Sequence, residues 1–400
     1  MRIAFVSPVG VVGGAERVML GLIARLRDDH SVTVVLMADG PLVRLINSLN
    51  VDVEVLALPP AWHELGDGRI GLATAWERAI RAPLRSWQLG GYIHRLRSRL
   101  RELEPDIVHT NGIKAHLLGA LTKPRKARLL WHIHDYLGRR GVSRRLLRLG
   151  ASRAAAAIAV SRSVADDVAR TLPGLPVSTV PNFVDAAHFC PGLPEFDSFD
   201  VQAGLGPPAD SVVRLGLVAT YAHWKGHYLF LDAMRRVVDA LGTHRVRGYI
   251  VGGPIYRTDR SQVTESGLRR RIAELNLTEC VGLVPFQSDP LSAYRALDVV
   301  VHASTEPEPF GLTIAEAMSC GRAVVAAEAG GVAEIIKSGD DGLLYRAGDV
   351  TELVEALTRL ANDSELRIRL GEQARFTVQS RFNVEKSVAQ LLEVYRNALK

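Results

Sequence analysis

The sequence predicts an α/β protein made of two doubly wound, Rossmann-like domains that face a cleft. Three observations carry this. A length of 400 residues exceeds what a single hydrophobic core ordinarily spans. Short apolar runs alternate with longer helical patterns, as in a parallel sheet covered on both faces. The alternation then stops and restarts around residues 181 to 209, which hold five prolines and little periodicity. The expected division is a first domain over 1–185, a linker over 186–212 and a second domain over 213–382.

In chain order, the expected strands of the first half are Ile3–Ser7, Val32–Met37, Val53–Ala57, Asp106–Thr110, Leu129–His134, Ala157–Ser161 and Ser178–Pro181. Helical periodicity fills most gaps between them, as at Ala15–Arg27 and Gly91–Leu103. The second half offers strands at Arg214–Ala219, Gly248–Val251, Val281–Phe286, Asp298–Ala303 and Ala323–Ala327. Helices are expected at Gly226–Ala240, Gln262–Leu275, Ser288–Ala296 and Phe310–Ser319, and from Val350 the tail reads as two or three more. Ligands of such sheets bind outside the carboxyl ends of the strands.

Composition narrows the class. Hydrophobic residues make up 47% and charged residues 23%, which is ordinary for a soluble globular chain. Three widely spaced cysteines argue against a disulfide framework and fit a reducing, cytoplasmic compartment. The apolar run after Met1 is too short for a signal peptide and reads as a strand. No window is long and apolar enough for a spanning helix. Arginines cluster unevenly, with seven from Arg78 to Arg101, among Trp87 and Tyr92, and six from Arg139 to Arg153. Such patches attract phosphates, so peripheral contact with an anionic membrane is one expectation and a solvated helix face the other. Neither patch has a groove-reading motif for nucleic acid.

The chemistry-bearing motifs all stand at strand ends. Glu308 and Glu316 have seven residues between them and bracket the start of a helix after the strand at 298–303. A helix start offers unpaired amides to phosphate, whereas carboxylates accept from hydroxyl groups. The combination suits a nucleotide-sugar. Lys225-Gly226 opens another helix and can neutralise a diphosphate. Ala327-Glu-Ala-Gly-Gly331 repeats the strand, glycine turn and helix start. In the first half, Gly13, Gly14 and Glu16 open a helix after the first strand, but their spacing does not fit the dinucleotide fingerprint. His109 and His134, with Asp135 beside the latter, end two strands; each histidine is equally readable as structural or as a hydroxyl-binding or proton-carrying group.

Taken in order, Gly13-Gly-Ala-Glu16, His134-Asp135, Trp224-Lys-Gly226, Glu308-Pro-Phe-Gly-Leu-Thr-Ile-Ala-Glu316 and Gly330-Gly331 resemble the retaining GT-B glycosyltransferases of family 4. The resemblance implies a transferase that moves a sugar from a UDP- or GDP-sugar to a glycan or lipid-linked acceptor, in cell-surface polysaccharide or glycolipid synthesis. It implies that Glu316 binds ribose hydroxyls and Glu308 the donor sugar. Backbone amides of Phe310, Gly311 and Leu312 would meet sugar or phosphate, Lys225 the leaving diphosphate, and Gly14 the donor phosphate or acceptor. Thr220 joins the donor site, and Pro285 lies in the base pocket. His134 matches the active-site histidine. Gly13, Glu16, His109 and Asp135 are assigned to the acceptor, and a last helix at 383–400 returns to the first domain. No cofactor and no metal are expected, because no D-x-D motif stands at a convincing strand end. One departure is clear: the arginine usual before Lys-Gly is missing, and Thr220, Arg257 and Arg260 are the substitutes to look for. The competing readings are a nucleotide-sugar-binding partner without catalysis, a sugar-nucleotide epimerase and a phosphorylase.

Overall fold

The computed structural model describes residues 1–62, 82–139, 141–208, 211–254 and 262–400. Contacts divide the chain into two compact units. Unit 1 is Met1–Asn182 with Val384–Lys400, and unit 2 is Phe183–Asn383.

Unit 1 is built on a sheet of seven strands: β1 (Arg2–Ser7), β2 (Ser31–Leu36), β3 (Asp52–Val55), β4 (Ile107–Asn111), β5 (Arg128–Ile133), β6 (Ala156–Ala159) and β7 (Val177–Thr179). Their order is β3-β2-β1-β4-β5-β6-β7, and every pairing is parallel. The direction of winding reverses between β1 and β4, which places a topological switch point at their carboxyl ends. The inner strands β1, β4, β5 and β6 are buried along nearly their whole length rather than alternating because helices cover both faces, whereas the edge strand β3, Asp-Val-Glu-Val, is half-buried at most. Trp131 in β5 and Phe5 in β1 are fully buried. Local chemistry sets the helix starts: Ser161, just past β6, accepts from Val164 N at 3.1 Å and caps helix Arg162–Thr171.

The C-terminal helix Val384–Leu399 belongs to unit 1. Ser387 Oγ donates to Pro181 O at 2.9 Å, Arg25 pairs with Glu385, and the fully buried Tyr395 reaches His109.

Unit 2 repeats the plan with six strands: β8 (Val213–Val218), β9 (Val246–Gly252), β10 (Val281–Pro285), β11 (Val299–His302), β12 (Ala323–Ala327) and β13 (Leu343–Tyr345). The order β10-β9-β8-β11-β12-β13 puts its switch point between β8 and β11. Strand β13, three residues long like β7, escapes the sequence reading. One continuous core runs from Leu215 and Phe230 to Leu357 and Leu370.

The proline-rich stretch read as a linker is tied into unit 2. It contains helix Phe196–Gln202, whose Asp200 is 2% exposed. Asp200 is held by Arg214 at 2.9 Å, by Arg247 at 3.2 Å and by the Tyr249 hydroxyl. A carboxylate buried this deeply persists only because its oxygens are filled by charged and polar donors.

Candidate functional site

In unit 2 the loops after β8 and β11 meet at the switch point. The chain leaves β8, forms a short turn His223–Lys225 and enters helix His227–Leu241 through Gly226. Gly226 has a φ of 74°, and a Cβ there would stand 1.8 Å from the carbonyl oxygen of Ala303. Only glycine allows the turn to press against the end of β11. Thr305 N donates to Trp224 O at 2.8 Å and joins the two loops.

That approach brings Lys225 Nζ to 2.6 Å from Glu308 Oε2 and 4.0 Å from the centroid of the Trp224 ring. Both charged side chains are 14% exposed. His302 Nε2 and Ser304 Oγ each lie 3.5 Å from the same carboxylate oxygen. Burial alone would raise the Glu308 pKa; the lysine charge and the His302 contact overrule it and hold the carboxyl down at about 2. Glu308 is therefore an acceptor at any physiological pH.

The loop after β12 is fastened to the Glu308 loop. Gly331 N donates to Glu308 O at 2.8 Å, and a Cβ on Gly331 would meet Pro309 O at 2.3 Å. Gly311, at φ 108°, turns the chain into helix Leu312–Ser319. The helix starts four residues after Glu308, and a helix start carries amides without intrahelical partners and a positive dipole end. The helix starts two residues later than the sequence suggests, and the Phe310 ring is buried edge-on against Phe382 with centroids 5.5 Å apart. Only the Phe310 backbone is left for a ligand.

Glu316 lies inside this helix at 5% exposure and accepts from the Tyr294 hydroxyl at 2.7 Å. Tyr294 was not among the expected residues: on its short helix Leu291–Ala296 nothing in the sequence distinguishes a core tyrosine from a positioning one. Thr220 is half-buried after β8, and Pro285 is the exposed last residue of β10. Arg257 and Arg260, the arginine substitutes, lie outside the described residues, as do Arg78, Arg81 and Arg140 of the basic clusters.

The strand ends of unit 1 carry different chemistry. Gly13 precedes helix Gly14–Leu26, and its N–H donates to Glu16 Oε2 at 3.0 Å. Glu16 thereby has a local capping task. Burial raises its pKa, against the lowering effect of the backbone amides of Glu16 and Gly13.

His134 follows β5, is half-buried and has no hydrogen-bonding partner at either ring nitrogen. Burial pushes its pKa down to about 4, so the ring is neutral near pH 7. Asp135 beside it accepts from Tyr136 N at 2.8 Å. His109 departs from its expected place at the acceptor. It is fully buried in β4, with its nitrogens 2.6 Å from Tyr395 Oη and 3.1 Å from His132 Nδ1. Both positions are filled within the protein, so a direct ligand contact would cost an existing bond. Among the described residues no group of three or more His, Cys, Asp or Glu side chains is arranged to hold a metal ion, and no helix is long and apolar enough to cross a membrane.

The sequence matches two family models, Glycosyltransferase Family 4 over residues 12–188 and Glycosyl transferases group 1 over residues 211–377. The structure is similar to that of an Anabaena protein, HepE, solved in complex with UDP and glucose. The TM-score is 0.80 at 26% identity, covering 98% of this chain and 99% of that one. Among curated relatives, the N-acetyl-alpha-D-glucosaminyl L-malate synthase of Bacillus anthracis is 25% identical over 257 residues, 64% of this chain. The D-inositol 3-phosphate glycosyltransferase of Saccharomonospora viridis is 32% identical over 241 residues, 59% of this chain. These matches span 63% and 54% of the relatives' own lengths. Two parallel-sheet units, each matched by its own family model, lead to one assignment: the chain belongs to the GT-B glycosyltransferases of family 4 and group 1.

Proposed function

We propose that the protein is a metal-independent, retaining glycosyltransferase. It takes a sugar from a nucleoside-diphosphate sugar, with UDP ahead of GDP, and passes it to a hydroxyl of a glycan or lipid-linked acceptor. The observation that carries this is the ion pair of Lys225 with Glu308 at the β8/β11 switch point, beside the start of helix Leu312–Ser319. UDP is favoured because a structural relative of 26% identity was solved with UDP and glucose.

Breaking the anomeric C–O bond leaves positive character on the sugar and negative charge on the diphosphate. Lys225 and the first-turn amides of helix Leu312–Ser319 receive the negative charge from preorganised positions. Glu308, kept ionised by Lys225, accepts from the sugar hydroxyls. Glu316, fixed by Tyr294, accepts from the ribose hydroxyls. Neutral His134 both donates to and accepts from hydroxyl groups. Retention is carried over from family 4. No carboxylate is assigned as nucleophile, and the departing diphosphate takes the acceptor's proton.

Thermal-shift screening with UDP, GDP and ADP tests the donor. Saturating UDP should raise Tm by about 5 °C, since a ligand that binds only the folded state stabilises it. Hydrolysis of UDP-glucose, UDP-galactose and GDP-mannose then tests catalysis. Binding without turnover of any of them, with or without glycan and lipid acceptors, would favour the non-catalytic reading.

A further inference from the structure

Unit 1 contains a line of three polar side chains, Tyr395, His109 and His132, that sugar transfer, as described above, does not use and that ends beside His134. The hydroxyl of Tyr395, on the C-terminal helix, lies 2.6 Å from His109 Nδ1. His109 Nε2 lies 3.1 Å from His132 Nδ1. His132 is 2% exposed, and its Nε2 has no partner. Its ring centroid is 4.1 Å from that of His134, whose two nitrogens are also unpartnered. The Oγ of Ser7, fully buried at the end of β1, is unpartnered too.

Burial keeps the rings of His109 and His132 uncharged, with the neighbouring His134 acting in the same direction. Each of the two internal hydrogen bonds therefore holds a single proton, and the line has only two directions. In the first, Tyr395 donates to His109 Nδ1, His109 Nε2–H donates to His132 Nδ1, and His132 keeps an N–H at Nε2. In the second, His132 Nδ1–H donates to His109, His109 donates to Tyr395, and the tyrosine proton points at nothing. The second direction leaves a buried hydroxyl proton and a buried ring lone pair unmatched. The first leaves only the His132 N–H, because a phenol that donates is already served. Unmatched buried donors and acceptors cost stability, so the first direction prevails.

We infer that Tyr395 and His109 are positioning residues that hold His132 in its Nε2–H tautomer, giving the enzyme a buried hydrogen-bond donor beside His134 for a substrate hydroxyl. A hydroxyl oxygen that accepts from His132 keeps its own proton for a nitrogen of His134. The chain of protons deepens the glycosyltransferase reading and rests on it for the identity of the hydroxyl.

Histidine-selective 15N NMR of the full chain without ligand reads the tautomers directly. In the wild type both His109 and His132 should carry the proton on Nε2. Tyr395→Phe removes the donor that sets the direction, so a second His132 population protonated at Nδ1 should appear, while remote His188 and His244 stay unchanged. A wild-type His132 protonated at Nδ1 overturns the inference, even where the variant fails to fold. So does a folded variant whose His132 signal does not change. In UDP-glucose hydrolysis, Tyr395→Phe should lower kcat about tenfold, the scale of one lost hydrogen bond, and leave KM within about twofold. An unchanged kcat would sever the tautomer from catalysis. A wild type that turns over no nucleotide-sugar would sink the activity reading, whereas the spectra decide the proton direction on their own.

Discussion

At the strand ends of unit 2 an ammonium and a carboxylate face each other at 2.6 Å. At the strand ends of unit 1 the equivalent interior holds uncharged imidazoles, two of them with ring centroids 4.1 Å apart and planes tilted by 36°. The two units share a sheet plan and a reversal of winding next to their first strands. What differs is how each meets the cost of burying polar groups. Unit 2 pairs opposite charges and so keeps full charges at a largely buried site, where charge acts more strongly than in water. Unit 1 suppresses charge and keeps hydrogen-bonding capacity, which suits a neutral hydroxyl. One fold thus supplies two electrostatic environments.

The largest expected effect comes from breaking the charged side. Lys225→Ala should lower kcat for transfer from the nucleotide-sugar by about 10²–10³, as for loss of one preorganised donor. A change under tenfold would remove the lysine from the transition state. Next, Glu316→Ala should weaken UDP binding about 10- to 100-fold by calorimetry, the scale of a hydrogen bond to a charged group. Unaltered UDP affinity would dissociate Glu316 from the pentose.

Acid sharpens the comparison further. An unfolded histidine takes a proton near its ordinary 6.5, but folded His134 resists until about 4. The unfolded state therefore holds more protons in that window, and unit 1 loses stability as pH falls from 6.5 to 4. Glu308 is shifted the same way from an ordinary 4.5 to about 2, so its contribution is present above 4.5 and lost only below it. Among the described residues, unit 2 has one such ring in this window, His227, held down to about 4 by burial, against His109, His116, His132 and His134 in unit 1. Hydrogen exchange, corrected for its intrinsic pH dependence, should therefore show β4 and β5 losing more protection than β8 and β11 between pH 6.5 and 4. Equal loss would contradict the division.

The smallest effect concerns the surface of unit 1, where helix Gly141–Ala151 exposes Leu149 at 78% and Leu146 at 43% beside Arg145 and Arg148. A Leu149→Glu chain should sediment about twofold less with vesicles of anionic lipid than the wild type. Equal sedimentation would leave this helix as a solvated face.

Much of this was legible in the sequence. Glycine-bearing turns at strand ends announce both sheets, and the Glu308–Glu316 spacing with Lys225-Gly226 marks the charged site, because charge and backbone freedom are local properties. The partners were not legible. Tyr294 meets Glu316, Tyr395 meets His109, and Arg247 meets Asp200 only through folding, across 22, 286 and 47 positions respectively. Nothing near Asp200 marks it as buried, so the proline-rich stretch reads as a tether when its helix is anchored by an acid. His109 illustrates the opposite limit, since a strand-end position does not reveal that both of its nitrogens are already engaged.

The helix Val384–Leu399 has a consequence for synthesis. Unit 1 receives Tyr395, Ser387 and Glu385 from a segment that leaves the ribosome after all of unit 2. The amino-terminal half therefore waits, with part of its interior open, until the whole of unit 2 has been made, and its completion is timed by the unit made after it.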